Sequence, residues 1–264
     1  MPSAARGSLV EALRAVPAHT AVLTDVDGTL APIVARPEQA AVPERAATAL
    51  RRLGQRYGLV GCISGRRAVE ARRLVGVDDV AYAGNHGLEL LLPGDAAPRL
   101  DPALAGREDE APAFLAGRAG ALAAAGLRLE DKGPIQALHW RGAEGTVAED
   151  AARELAADAE AAGLATHWGR KVLELRPDVP IGKDAAIAEL LSAGGIARAV
   201  YAGDDRTDLD AFRRLRELRE KGELRFAACI GIGSPEAPAE LTAESDLLVD
   251  GPAGWLALLE SLAA

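Results

Sequence analysis

The stretch that decides the fold is Thr20-Ala-Val-Leu-Thr-Asp-Val-Asp-Gly28, an uncharged run that ends in two carboxylates and a glycine. Similar apolar runs occupy residues 59–65, 197–205 and 226–233, and segments with helical spacing separate them. Strands that alternate with helices at this spacing predict βαβ units and a parallel sheet covered by helices on both faces. We therefore expect the α/β fold class.

The outer parts of the chain carry the remaining elements of this sheet. Residues 80–92 are strand-like, and helices are predicted at 43–58, 67–76, 183–195, 207–221 and 252–263.

Residues 107–181 follow a different pattern. Their strand-like segments alternate polar and apolar residues, which predicts a sheet with one exposed face. Stretches rich in Gly and Pro bound them at 91–98 and 176–182. We therefore predict a core formed by residues 1–106 and 182–264, with residues 107–181 as an inserted α+β domain. Its predicted elements are helices at 109–125 and 145–162 and strands at 127–132, 135–141, 164–170 and 171–176.

Composition excludes several classes of function. The 264 residues contain 30 Lys and Arg against 39 Asp and Glu, a net charge of −9. This balance argues against nucleic-acid and anionic-membrane partners, which need clustered positive charge. There is no apolar stretch of transmembrane length and no continuous apolar segment at the N-terminus. Cys62 and Cys229 lie inside apolar runs, so we expect buried hydrophobic residues rather than a disulfide or metal ligands, and a cytoplasmic protein.

The first acidic motif is Asp25-Val26-Asp27-Gly28-Thr29, at the end of the first predicted strand. Side chains two residues apart on a strand point to the same side, and ligands bind at the carboxyl ends of parallel strands. Two close carboxylates repel each other unless a metal or a proton separates them. One can attack phosphorus while the other moves a proton. A solvated turn is the alternative; a calcium loop is disfavoured because the EF-hand spacing is absent.

Three further motifs fall at the same ends of elements. Ser64-Gly65-Arg66 follows the second strand, Lys183 opens a helix, and residues 203–208, Gly-Asp-Asp-Arg-Thr-Asp, close another strand. Hydroxyl, amide and ammonium groups bind phosphate, whereas several carboxylates suit a hard cation such as Mg²⁺. Each motif alone is weak. The four in order predict phosphoryl chemistry.

These motifs, DVDGTL, SGR, Lys183 and GDDRTD, resemble those of the haloacid dehalogenase superfamily of phosphatases. The position of the insert, between the second and third motifs, resembles the branch with an α/β cap that acts on phosphorylated sugars. Four further segments are similar to trehalose-6-phosphate phosphatases: ARPEQAAVP (35–43), AGNHGLE (83–89), EDKGPIQALHWR (130–141) and GRKVLELRP (169–177). The resemblance covers nearly the whole chain and implies a Rossmann-like core with an inserted cap domain.

The resemblance also implies roles for individual residues. Asp25 resembles the nucleophile and a metal ligand; Asp27 resembles the general acid and base, and lends its backbone carbonyl to Mg²⁺. Asp204 resembles a direct metal ligand, with Asp205 and Asp208 nearby or bound through water. The residues that resemble phosphate-binding positions are Thr29, Ser64, Gly65 and Lys183. Those that resemble substrate-binding positions are Arg66, Asn85, His86, Gly87, Glu130, Lys132, Arg141, Arg170, Lys171 and Glu174.

The spacing in the insert supports a polar binding face independently. Glu130 and Lys132 are two residues apart on one predicted strand, and His139 and Arg141 are two apart on the next. Each pair therefore shares a side of its strand. Such a face is a poor core, so it is either a grip for sugar hydroxyls or a solvated surface.

The function that the resemblance implies is Mg²⁺-dependent hydrolysis of trehalose 6-phosphate through an aspartyl-phosphate. The implied partner is a phosphorylated disaccharide, with functional pairing to a trehalose-phosphate synthase. Alternatives remain open: a phosphatase of another phosphorylated disaccharide or glycoside (glucosylglycerol, glucosylglycerate, sucrose or cyclitol-disaccharide phosphate), a promiscuous sugar-phosphate phosphatase, and a catalytically silent sugar-phosphate sensor. The presence of Asp27 weighs against a sensor, which has no need of an acid–base group.

Overall fold

A computed structural model describes residues 2–34, 39–143, 146–169, 171–180, 182–235 and 237–264. The chain divides into two compact units, one formed by Met1–Arg99 with Ile181–Ala264 and the other by Leu100–Pro180. The second unit starts earlier than the predicted insert at residue 107, and it includes a 3-10 turn at Pro102–Leu104. None of the helices in the described ranges is long and apolar enough to cross a bilayer.

Twelve strands and ten helices occupy the described ranges. The strands are β1 Thr20–Thr24, β2 Leu59–Ile63, β3 Ala81–Gly84, β4 Glu89–Leu91, β5 Arg99–Leu100, β6 Arg128–Lys132, β7 Ile135–His139, β8 Leu164–Gly169, β9 Val172–Pro177, β10 Arg198–Gly203, β11 Phe226–Gly233 and β12 Leu247–Asp250. The helices are α1 Pro2–Arg14, α2 Glu44–Gly54, α3 Ala68–Val75, α4 Glu110–Leu115, α5 Ala119–Ala124, α6 Val147–Ala161, α7 Lys183–Ser192, α8 Asp208–Glu220, α9 Ala239–Glu244 and α10 Gly251–Ala263.

The first unit is built around one eight-stranded sheet in the order β12-β11-β10-β1-β2-β3-β4-β5. Strands β12 to β3 of this order run parallel, and β4 pairs with β3 in the antiparallel direction. β1 lies at the centre with β10 and β2 as its neighbours. The carboxyl ends of these three parallel strands therefore meet at one edge, as the α/β prediction requires.

Helices cover both faces of this sheet, which confirms the predicted α/β class. Alternate residues of β1 face opposite layers: Val22 packs into a core with α2 and α10, and Leu23 packs into a second core with α7 and α8. All five residues of β1 are buried. A strand covered on both sides must be apolar along its whole length, and this requirement explains the run that precedes Asp25.

The second unit is a four-stranded antiparallel sheet in the order β6-β7-β9-β8. One face carries Leu138, Leu173 and Leu175, which form a core with α4, α5 and α6. The opposite face carries the polar residues of the predicted alternation, among them Glu130 and Glu174. The predicted one-sided sheet is therefore present in this unit.

Two predicted elements were wrong in their extent. Residues 80–92 are not one strand, because Asn85 and His86 have φ values of 50° and 58° and turn the chain between β3 and β4. The helix predicted at 109–125 is two short helices, α4 and α5, that Gly117 separates with a φ of 78°. α1, β5, α9 and β12 were not predicted.

Candidate active site

The predicted motifs meet at the carboxyl edge of the eight-stranded sheet. Asp25 follows β1, Ser64 follows β2, Asp204 follows β10, and Lys183 is the first residue of α7. The backbone holds these turns to the sheet: Asp25 N–H donates to Ala202 O at 2.8 Å, and Ser64 N–H donates to Ala83 O at 2.9 Å.

Lys183 lies at the centre of this cluster and is 2% exposed. Its Nζ donates to Asp25 Oδ1 at 2.8 Å and to Asp208 Oδ1 at 2.6 Å. Asp208 Oδ2 in turn accepts from the amides of Asp204 at 2.9 Å and Asp205 at 3.0 Å. One buried carboxylate therefore fixes both the lysine and the acidic loop after β10.

Tyr201 completes this network, although the sequence analysis did not single it out. Its hydroxyl donates to Asp208 Oδ1 at 2.5 Å, and the residue is fully buried in β10. Tyr201 and Gly203 lie two positions apart on β10, so both face the same side of the sheet. Asp208 approaches Gly203 on that side. The residue type was visible in the sequence, but its partner was not.

The network raises the pKa values of two carboxylates and of the lysine, for different reasons. Burial, with help from Asp208 and the other carboxylates, raises the pKa of Asp25 well above its usual range, although Lys183 opposes the rise. Burial, followed by Asp208 and Asp205, raises the pKa of Asp204 to about 7. Burial lowers the pKa of Lys183, but Asp208 and Asp25 outweigh it and hold that pKa well above the ordinary value. The lysine is therefore a buried cation.

The acidic residues fit a divalent cation. Ligand atoms of Asp25, Asp204 and Asp208 all lie within 4.8 Å of one another. In the described part of the chain, no hydrogen-bond donor reaches the buried Asp25 Oδ2. A buried carboxylate oxygen without a partner is costly, and oxygen ligands at this spacing suit a hard cation. Asp208 is already engaged by Lys183 and two amides, so Asp25 and Asp204 are the better placed ligands.

Asp205 has a different local role. Its Oδ1 accepts from the amide of Thr207 at 2.8 Å and from the hydroxyl of Thr207 at 2.6 Å. The amide of Asp208 donates to the same oxygen at 3.2 Å. Burial opposes ionisation here, but Lys183 and these hydrogen bonds lower the pKa of Asp205 to about 2. Asp205 shapes the turn that begins α8.

Two glycines allow the acidic loops to approach each other. Gly28 has a φ of 94°, and a Cβ atom there would lie 2.1 Å from Asp204 Oδ2. At Gly203 a Cβ atom would lie 2.1 Å from Asp208 Cγ. The absence of a side chain at both positions is therefore needed for the carboxylates to converge. Thr29 supports the same contact, since its hydroxyl donates to Asp204 Oδ1 at 3.1 Å.

Asp27 forms a pair with Arg66. The guanidinium donates from Nε to Asp27 Oδ2 and from Nη2 to Oδ1, both at 2.7 Å. The two side chains are partly exposed, at 35% for Asp27 and 20% for Arg66. Both oxygens of Asp27 are engaged in this bidentate contact, which only a guanidinium can make.

The turn at residues 85–87 lies against the loop of Ser64 and Gly65. His86 N–H donates to Ser64 O at 3.0 Å, and a Cβ at Gly65 would meet His86 Nε2 at 2.8 Å. Glu89, which the sequence analysis did not select, is buried and accepts from Ala68 N–H at 2.8 Å and Asn85 Nδ2 at 3.2 Å. Glu89 therefore joins this turn to the start of α3. The helix starts at Ala68, one residue later than predicted.

The second unit brings some of the remaining residues together. Lys132 Nζ donates to Glu174 Oε1 at 2.7 Å, and both side chains are largely buried. Glu130 and His139 form a second pair. Lys171 lies in the turn between β8 and β9 with a φ of 57°. Arg141 lies in the turn after β7, so it does not share a strand face with His139 as predicted. Arg170 and residues 35–38 of the ARPEQAAVP segment lie outside the described residues.

Comparison with solved structures shows the fold that the chain shares. Its fold is that of haloacid dehalogenase-like proteins: a haloacid dehalogenase-like hydrolase from Bacteroides thetaiotaomicron aligns with a TM-score of 0.64 over 92% of this chain and 98% of its own, at 14% identity. The C-terminal domain of Candida albicans trehalose-6-phosphate phosphatase aligns with a TM-score of 0.80 over 98% of this chain and 96% of its own, at 20% identity.

Sequence similarity defines the family. Residues 23–244 match the family model for trehalose-phosphatase, and the chain belongs to this family. A trehalose-phosphate phosphatase from Mycobacterium avium is 35% identical in an alignment of 249 positions, which covers 85% of this chain and 61% of that protein. An uncharacterized glycosyl hydrolase from Mycobacterium tuberculosis is 37% identical over 81% of this chain and 17% of its own length. The chain thus spans about three fifths of the mycobacterial phosphatase, or less of longer relatives.

Proposed function

We propose that the protein is a phosphatase that hydrolyses trehalose 6-phosphate to trehalose and inorganic phosphate. The observation that carries the proposal is the convergence of Asp25, Lys183 and Asp204 at one edge of the sheet, where no donor among the described residues reaches one buried oxygen of Asp25. Membership of the trehalose-phosphatase family supports the substrate. The reaction that supplies this substrate is that of a trehalose-phosphate synthase, with which we propose functional pairing.

The cation in the proposed reaction is Mg²⁺. Asp25 and Asp204 would hold it through carboxylate oxygens, with the backbone carbonyl of Asp27 as a further ligand. When bound, it would supply positive charge next to the phosphoryl oxygens. A site with few carboxylates suits Mg²⁺, which keeps several of its waters.

The first step transfers the phosphoryl group to the protein. The Asp25 carboxylate attacks phosphorus, the bond from phosphorus to the sugar oxygen breaks, and Asp27 gives its proton to that oxygen. Lys183 lies 2.8 Å from Asp25 Oδ1, so its ammonium can neutralise charge on the transferred group. Thr29, Ser64 and the amide of Gly65 would hold phosphoryl oxygens.

The second step releases phosphate. Asp27, now a carboxylate, takes a proton from a water molecule, and the resulting oxygen attacks phosphorus. The bond between phosphorus and Asp25 breaks, which restores both carboxyl groups to their starting forms. Splitting the reaction in this way replaces one difficult displacement by two easier ones.

Arg66 must leave Asp27, and Asp27 must take up the proton that it later gives to the sugar oxygen, before the first step. Both Asp27 oxygens accept from its guanidinium at 2.7 Å. A phosphorylated substrate offers the guanidinium a second bidentate partner, because phosphate and carboxylate present similar pairs of oxygens. We propose that Arg66 exchanges Asp27 for the substrate.

In this proposal the second unit contributes sugar-binding residues on its polar face. The polar face provides charged hydrogen-bonding groups on Glu130, Lys132 and Glu174. The turn residues Lys171 and Arg141 would add cationic donors, and Arg170 shares this proposed role. Asn85, His86 and Gly87 would contribute from the turn beside Ser64.

The acid–base role of Asp27 has a direct test. Asp27→Asn keeps the shape of the side chain but removes its acid–base function, so we expect turnover to fall by about 10²- to 10⁴-fold. Affinity for the substrate should survive, as measured by calorimetry with the inactive variant. Asp78→Asn is a matched control, because Asp78 is 89% exposed in the same unit. Unchanged turnover in Asp27→Asn would contradict the proposed acid–base role of Asp27.

A further inference from the structure

The polar face of the second unit contains two carboxylates on either side of a small residue. Glu130 in β6 lies opposite Ala137 in β7, and Ala137 lies opposite Glu174 in β9. Neighbouring strands are about 4.8 Å apart, so the two glutamates project from backbone positions roughly 10 Å apart on one face. The alanine between them leaves the row without a large central side chain.

A different side chain donates to each carboxylate. Lys132 Nζ donates to Glu174 Oε1 at 2.7 Å. His139, two residues beyond Ala137, has its Nε2 atom 2.5 Å from Glu130 Oε2. An ionised carboxylate can only accept a hydrogen bond, so the proton of this contact lies on His139 Nε2.

The contact favours the ionised form of Glu130. The hydrogen bond from His139 lowers the pKa of Glu130, against the effect of partial burial, and Lys132 and Arg128 lower it further. His139 engages only Oε2. Oε1 is therefore the oxygen through which an oriented, ionised Glu130 can accept a hydrogen bond from a ligand.

We propose that His139 is a positioning residue for glycosyl recognition: its Nε2–H fixes the Glu130 carboxylate so that Oε1 accepts from a hydroxyl of the substrate's sugar. His139 is not assigned a role by the family resemblance above, and it acts through Glu130 rather than by touching the substrate. The proposal rests on the proposed function and adds a determinant of its specificity. A carboxylate that is already oriented loses less side-chain freedom when the sugar binds.

Two substitutions separate this role from a general structural one. His139→Leu removes the donor, whereas His139→Gln keeps an N–H group at a similar distance from the backbone. We compare kcat and KM for trehalose 6-phosphate and for p-nitrophenyl phosphate, which has no sugar hydroxyls. His139→Leu should raise KM for the sugar phosphate and lower the ratio of kcat/KM between the two substrates by about tenfold, or about 1.4 kcal/mol. His139→Gln should restore most of this ratio.

The control lies on the same sheet. Thr166 in β8 is on the opposite face, and its hydroxyl donates to Glu160 at 2.5 Å. Thr166→Val should leave the substrate ratio as in the wild type. A double-mutant cycle of His139→Leu with Glu130→Gln should be strongly non-additive, because both changes remove the same oriented acceptor.

Several results would overturn the inference. They are an equal loss of kcat/KM on both substrates in His139→Leu, a failure of His139→Gln to restore the ratio, and an additive cycle with Glu130→Gln. Failure of the proposed function looks different, because the wild type itself would then leave trehalose 6-phosphate intact. The same variants are then compared on the phosphorylated glycoside that the wild type does hydrolyse, and a wild type that hydrolyses none overturns both proposals.

Discussion

Asp208 shows how a single residue can determine the geometry of a site. Its two oxygens accept from Lys183, Tyr201 and the amides of Asp204 and Asp205. A buried carboxylate is stable only when its hydrogen bonds are satisfied, and here those bonds also place the lysine and the acidic loop. The loss of one hydrogen bond at Asp208 should therefore also disturb the position of Lys183 beside Asp25.

Tyr201→Phe tests this dependence by removing one hydroxyl. The lost hydrogen bond to a charged group should cost about 1.5–3 kcal/mol of stability. It should also lower kcat by about tenfold, on the order of 1.4 kcal/mol in the barrier, because Lys183 loses its fixed orientation. Chemical denaturation and steady-state kinetics measure the two effects.

Tyr82→Phe is the matched control for this substitution. Tyr82 is also fully buried, and its hydroxyl donates to the carbonyl of Val77 at 2.6 Å. It should lose stability without a selective loss of kcat. Equal kcat in the two variants would contradict a positioning role for Tyr201.

The contact between the loops after β1 and β10 is the central feature at the scale of elements. The strands are neighbours in parallel register, so the turn at Gly28 comes directly against Asp204. β1 lies between its neighbouring strands and is buried along its whole length, whereas the turn that follows it carries charged residues. Trp255 of α10 also reaches this strand, since its Nε1–H donates to Thr24 Oγ1 at 3.0 Å.

Gly28→Ala should disrupt this contact without unfolding the protein. The new Cβ would lie 2.1 Å from Asp204 Oδ2, and the alanine would have to adopt a φ of 94°. We expect weaker Mg²⁺ binding and a loss of activity of at least tenfold. Gly76→Ala is the control, because it carries the same left-handed strain, at a φ of 70°, and the added Cβ meets no atom of a more distant described residue within 4 Å. Equal Mg²⁺ affinity in both variants, measured by calorimetry, would refute the steric account.

Particular elements show what the sequence could and could not predict. The apolar run before Asp25 predicted the buried strand, and the carboxylates at its end predicted the functional edge, since both follow from local rules. The left-handed residues Asn85 and His86 interrupted a pattern that reads as one strand. Side-chain partners such as Arg66 for Asp27 and Trp255 for Thr24 depend on tertiary packing between distant segments, so residue spacing alone could not identify them.

The whole molecule combines an acidic, cation-compatible edge in one unit with a polar sheet face in the other. Lys183 is a buried cation that lies among carboxylates at this edge, in a chain whose net charge is −9. Burial raises the pKa of Asp25 and of Asp204, which means that their negative charges are unfavourable in this site even with Lys183 beside them. Binding of a divalent cation should therefore stabilise the native state of the entire chain.

Removal of the metal tests whether a divalent cation stabilises the whole chain. Treatment with a chelator should lower the melting temperature and abolish phosphate release, and added Mg²⁺ should reverse both effects. Asp204→Asn should respond much less to Mg²⁺, whereas Asp78→Asn should behave like the wild type. A melting temperature that is independent of Mg²⁺ in the wild type would contradict a cation site at Asp25 and Asp204.

The most direct test of the account is phosphate release with Mg²⁺ from a panel of phosphorylated sugars, comparing the wild type with Asp25→Asn. The panel contains trehalose 6-phosphate, sucrose 6-phosphate, glucose 6-phosphate and glucosylglycerate phosphate. We predict the highest kcat/KM for trehalose 6-phosphate and no release by Asp25→Asn. Preference for another sugar would overturn the assigned substrate; no release from any sugar, or equal release by Asp25→Asn, would contradict the proposed phosphatase mechanism.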